Sequence, residues 1–68
     1  MNNLKEKVIR EFKFYWNYMV KCRNENDERG VYLGFAKLDV YIDLLKYFYD
    51  RINTTMLWEK AFKFYTGK

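Results

Sequence analysis

The chain has no histidine, no proline and a single cysteine among its 68 residues, and each shortage closes off a class of chemistry. With one cysteine and no histidine, neither an internal disulfide nor a zinc site of the usual ligand set can be built. Proton transfer would fall to carboxylates, lysine, tyrosine or the lone thiol, and no constellation of these residues resembles a catalytic signature. The lack of proline, with only three glycines, leaves few places where a helix is forced to break. No apolar run approaches the roughly 20 residues of a membrane span, and the opening stretch MNNLKEKVIREF has no signal-peptide core. These absences predict a cytoplasmic protein without membrane contact, with Cys22 reduced and no metal or cofactor.

Aromatic rings are plentiful instead. They make up 22% of the chain, and EFKFYWNYM places Phe12, Phe14, Tyr15, Trp16 and Tyr18 within seven positions. Half of the residues are hydrophobic and 32% charged, a balance that excludes disorder and favours one compact helical domain. A chain this short gains only marginal stability from a core of its own, so extra burial against a partner is expected. The net charge of +4 excludes a mimic of the phosphate backbone, which must be acidic. It permits contact with nucleic acid or with an acidic protein.

Spacing predicts an all-α fold: a helical hairpin plus a short third helix. In the first helix, over about 3–24, Leu4, Val8, Phe12, Tyr15, Met19 and Cys22 share one face at 100° per residue. The polar stretch RNENDERG interrupts it, with Asn24 or Asn26 placed to cap a second helix over about 27–52. That helix is apolar around most of its circumference. Leu38, Tyr41, Leu45, Phe48 and Ile52 form one face, and Leu33, Val40, Leu44 and Tyr47 a second. Such a helix must be covered from more than one side, and a homodimer across a twofold axis is the simplest completion. NTT at 53–55 offers a hydroxyl cap for a third helix, about 56–65, with Leu57, Trp58, Ala61, Phe62 and Tyr65 as its stripe and Gly67 as its stop.

Several groups stand out as candidate sites. Phe14, Tyr18, Tyr32 and Phe64 are the rings least suited to the monomer core, and rings of this kind anchor interfaces. Lys60 and Lys63, with Lys5, Lys13, Lys21, Arg23 and Lys68, interleave with rings much as in surfaces that stack bases and hold phosphates. Asp39, Asp43 and Asp50 read as an acidic strip along helix two, with Lys46 among them. Gly30 and Gly34, one turn apart, allow a neighbouring backbone or ring to come close. Cys22 falls on the core face, as a small buried hydrophobe.

The hairpin formed by KVIREFKFYWNYM and YLGFAKLDVYIDLL resembles small sporulation phosphatases whose second helix carries a Ser-Gln-Glu-Leu-Asp motif. Here FAKLD keeps Leu38 and Asp39, while Phe35, Ala36 and Lys37 depart from the motif. The stretch RGVYLGFAKLDVYIDLL also resembles the second helices of small accessory and counter-defence proteins of Firmicutes phages and mobile elements. That resemblance implies a small accessory or counter-defence factor that works by binding. Together with the surplus apolar surface, it leads to the expectation of a non-enzymatic homodimer acting stoichiometrically as an inhibitor or adaptor of a host protein. Alternatives are a basic-aromatic nucleic-acid binder and a dimeric sponge for an anionic nucleotide.

Overall fold

The computed structural model describes residues 3–67, and these form three helices: α1 (Asn3–Asn24), α2 (Glu28–Leu45) and α3 (Arg51–Thr66). Lys68 lies outside the described residues. As the apolar periodicity predicts, α1 runs for 22 residues, with Glu6 in its positive first turn and Lys21 and Arg23 in its negative last turn.

The end of α1 reverses the chain in very few residues. Asn26 adopts the left-handed conformation (φ 59°). Its N–H donates to the Arg23 carbonyl at 3.1 Å while the Asp27 N–H donates to the Cys22 carbonyl at 2.8 Å, a Schellman closure in which asparagine takes the position usually given to glycine. Asp27 then caps α2 by accepting from the Gly30 N–H at 2.9 Å. The expected cap on Asn24 or Asn26 is thereby corrected: Asn26 terminates α1, and the residue after it starts α2.

α1 and α2 meet at the two glycines. A Cβ at Gly34 would lie 3.0 Å from the Met19 Cβ and 3.2 Å from its Cα, and one at Gly30 would run into the Cys22 Sγ. The close approach expected from the spacing is therefore real, and it is backbone against backbone. Met19, Leu38 and Ile42 are completely enclosed at this seam, with Cys22 and Val31 beside them.

α2 ends at Leu45 rather than near residue 52. The N–H groups of Tyr47 and Phe48 turn back onto the carbonyls of Leu44 and Leu45. Asp50, in extended conformation, then caps α3 by accepting from the Asn53 N–H at 2.8 Å and the Asn53 side-chain amide at 2.7 Å. α3 thus begins five residues before the expected start at 56. Thr54 is no cap: it is buried inside the first turn and donates its hydroxyl to the carbonyls of Asp50 and Arg51. Reversal at 46–50 brings Trp58, Phe62 and Tyr65 onto Phe35, with Tyr65 stacked on it at 4.7 Å. Gly67 closes α3 in the left-handed region, as expected.

The Asp50 cap has a pH signature. Donation from the Asn53 backbone and side chain holds this carboxylate below its ordinary value. Its stabilising contribution is thus complete above the ordinary carboxylate pKa and disappears as pH falls through the lower folded value. Acidification should reduce far-UV helical signal in that strongly acid window. In Asp50→Asn, which keeps a capping oxygen without the charge, this component of the acid transition should be missing.

Candidate functional site

α3 wedges against one side of the α1–α2 hairpin. On α1 it meets Trp16, whose ring lies 5.9 Å from Phe64, and Arg23, whose guanidinium donates to the carbonyls of Phe64 (2.8 Å) and Tyr65 (2.7 Å). On α2 it meets Tyr32, Phe35 and Asp39, the last accepting from the Trp58 indole N–H at 2.8 Å. Because α3 touches two helices, it needs two adjacent stripes. Leu57 and Phe64 join the α1 side, while Trp58, Phe62 and Tyr65 serve α2. Phe64 was expected to stand clear of the core; it packs against it instead, under the Arg23 guanidinium at 5.6 Å.

The opposite side of the hairpin carries no helix. Phe14 lies about 200° around α1 from Trp16 and is 59% exposed. Next to it, Tyr15 makes an edge contact with Phe14 and stacks on Tyr41 of α2, with the Lys37 ammonium over its ring. Tyr18 was also expected to stand clear of the core. It is half-buried, because the next turn on the same edge of α1 is the enclosed Cys22. Interaction with the neighbouring Cys22 thiol raises the Tyr18 pKa above its usual value, and burial, followed by the Glu11 charge, raises that of Tyr41. Further round α2, Leu33 (50%), Val40 (54%) and Leu44 are exposed in one line, continued by Tyr47 in the following turn. This is the second apolar face read from the sequence, and neither α1 nor α3 covers it.

Basic and aromatic groups converge in the cleft between α1 and α3. One part, of about 330 Å³, is lined by Phe12, Lys13, Trp16, Asn17, Leu57 and Lys60. The adjoining part, of about 410 Å³, shares Trp16 and Lys60 and adds Arg23, Lys63, Phe64 and Gly67. The structure therefore brings Lys60, Lys63 and Phe64 together, but not with Phe14 and Tyr18, which belong to the uncovered side, nor with Tyr32, 55% exposed at the α2–α3 edge beside Tyr65.

The acidic strip does not form. Asp39 is held by Trp58, Asp43 pairs with Lys46 at 3.2 Å, and Asp50 is the cap of another helix. The strip assumed a helix that continued past Leu45. Asp39 and Asp43 still line an open groove of about 540 Å³ between α2 and α3, together with Lys46, Thr54, Thr55 and Trp58. Among the described residues, no three acidic or cysteine side chains gather as they would around a metal ion, and no helix is long and apolar enough to cross a membrane.

No family model, curated protein or solved structure matches this chain.

Trp16 is the site residue that sequence reasoning missed, and Arg23 stands there only among the basic groups interleaved with rings, not as a tie to α3. Trp16 reads as an ordinary core-facing ring, and the partners of Arg23 lie 41 and 42 residues away, so no local pattern announces them. Lys13 carried a weak signal, one turn before Asn17 on the polar arc of α1.

Proposed function

We propose that the chain is a non-enzymatic, cytoplasmic binding protein that pairs with a second copy of itself through the outer face of α2 and engages a protein partner through the Phe14 shoulder of α1. The observation that supports this reading is an excess of uncovered apolar surface. Among the described residues, eleven large apolar side chains are exposed, and four of them, Leu33, Val40, Leu44 and Tyr47, stand in one line. Scattered exposure is ordinary, but alignment in one stripe marks an interface.

Antiparallel pairing of α2 about an axis near the small Ala36 sets Leu33 against the partner's Val40. It also brings Arg29 towards the partner's Asp43, so charge is matched as well as apolar area. The shoulder of α1 offers Phe14 as an anchor, with exposed Lys7, Lys21 and Lys37 around it, which suits an acidic protein surface bearing an apolar recess. Inhibitors and adaptors that act one-to-one on a host protein need only such surfaces.

Sedimentation equilibrium tests the pairing. The native chain should be dimeric at micromolar concentration, and Leu33→Glu with Val40→Glu should give a monomer with unchanged helical content. A native chain that stays monomeric into the millimolar range overturns the pairing. For the shoulder, affinity for a purified partner should fall about thirtyfold or more in Phe14→Ala, the scale of an interface anchor worth about 2 kcal/mol. Undiminished affinity in Phe14→Glu would remove the shoulder from the reading.

A further inference from the structure

We infer that the cleft between α1 and α3 binds single-stranded nucleic acid without regard to sequence, holding phosphates with Lys13, Lys60 and Lys63 and stacking a base on Trp16. This surface is distinct from the protein-binding faces proposed above, which lie on the uncovered side of the hairpin.

Charge is the first support. The three lysines are exposed and stand on both walls of the cleft, Lys13 on α1 and Lys60 and Lys63 on α3. Among the described residues, no carboxylate lines either part of it, and none of the three lysines is tied up in an ion pair. The carboxylates of Asp39 and Asp43 line the other groove, between α2 and α3. Three unpaired ammonium groups thus stand on the two walls of one cleft, where an anion between them is favoured from both sides.

Arg23 removes the one feature that would repel an anion there. The cleft runs towards the carboxyl end of α3, whose unpaired carbonyls carry the negative end of the helix dipole. By donating to the Phe64 and Tyr65 carbonyls, the guanidinium covers that negative end and leaves the lysine charges unopposed.

Shape and chemistry then choose among anions. The floor is built of half-buried rings, with Trp16 between Phe12 at 6.2 Å and Phe64 at 5.9 Å, and Trp16 lines both parts of the cleft. A ring face beside ammonium groups accepts a planar base next to its phosphate, because every base has a π-face. From Phe12 to Arg23 the cleft extends for about 16 Å along α1, longer than one nucleotide occupies. Its polar groups are ammonium ions, the Asn17 amide and the Arg23 guanidinium, which is already engaged with the α3 carbonyls, so stacking and charge decide binding and base identity does not.

The test uses the full chain and a labelled oligothymidylate of about a dozen nucleotides, within the site sizes of such binders, followed by fluorescence anisotropy. Binding should saturate, and the logarithm of the affinity should fall with the logarithm of salt with a slope of about −2, as three single-strand phosphate contacts require. The variant Lys13→Gln/Lys60→Gln/Lys63→Gln changes only exposed side chains and should keep its helical signal. It should bind at least about tenfold more weakly near 0.1 M salt and lose most of the slope. In Trp58→Phe, where Trp16 is the remaining tryptophan, emission should be quenched in step with binding. Absence of binding, a flat salt response, or full affinity in the triple variant overturns the proposal. So does equal displacement by thymidine monophosphate, which would mark a mononucleotide pocket, or by polyglutamate, which would mark a surface for acidic protein.

Discussion

Replacing Gly34 by leucine is expected to unfold most of the molecule, and even Gly34→Ala should destabilise it by about 1–3 kcal/mol, the usual cost of overpacking. The sign is the informative part. In a helix interior, alanine is ordinarily favoured over glycine by about 1 kcal/mol, so the steric term must exceed that gain. The added Cβ would sit 3.0 Å from the Met19 Cβ and 3.2 Å from its Cα. Met19 is fully enclosed, and backbone and Cβ atoms cannot turn aside as the end of a flexible side chain can. The helices would have to separate, opening the contacts of Leu38 and Ile42 in the same seam. A chain of this size has a total stability of about 3–10 kcal/mol, which leucine at this position would largely remove. Urea denaturation of Gly34→Ala, Gly34→Leu and the control Met56→Ala, at an exposed position outside the proposed interfaces, measures the effect. A Gly34→Ala protein as stable as the native one would show that α1 and α2 pack less closely than described.

Arg23→Ala is expected to cost about 2 kcal/mol and to act mainly on α3. Hydrogen bonds to a charged group are worth about 1.5–3 kcal/mol, and Arg23 makes two of them, to the carbonyls of Phe64 and Tyr65. Partial exposure and the sharing of one donor nitrogen bring the expected total below that of two fully buried bonds. Arg23→Lys should recover only part, since one guanidinium nitrogen donates to both carbonyls and the shorter lysine side chain does not carry its ammonium to that point. In hydrogen exchange, amides in the second half of α3 should lose protection first, while those at the glycine seam of α1 and α2 keep theirs. Uniform loss of protection across all three helices would mean that α3 is not tied on through this residue. Because the same guanidinium covers the negative end of α3, the substitution should also weaken any anion held in the lysine cleft.

The sequence by itself determined the class of the fold and the contents of its central seam. Apolar residues at helical spacing made α1 helical from Asn3 to Asn24, and Gly30 and Gly34 at one-turn spacing marked where its neighbour comes close. Gly67 marked the end of α3 because a residue without a Cβ accepts positive φ at no cost. These are local properties, set within one or two turns of chain. The break after Leu45 was not local in that sense: Tyr47, Phe48, Tyr49 and Ile52 continue the apolar pattern, and Asp50 reads as a member of the acidic strip rather than as a cap. Packing chose the cap, since only a reversed chain lays Trp58 and Tyr65 on Phe35.

That choice broke the acidic strip and drew Phe64 inward. Tertiary structure likewise divided the rings. Trp16 of α1 and Phe64 of α3 meet and line a basic cleft, whereas Phe14 and the Leu33–Leu44 stripe face outwards. Which side of α1 would receive α3 depends on groups some 40 residues apart, joined by Arg23. Helical periodicity shows that a helix has two apolar shoulders; it takes the packed third helix to decide which one is covered and which is left for a partner.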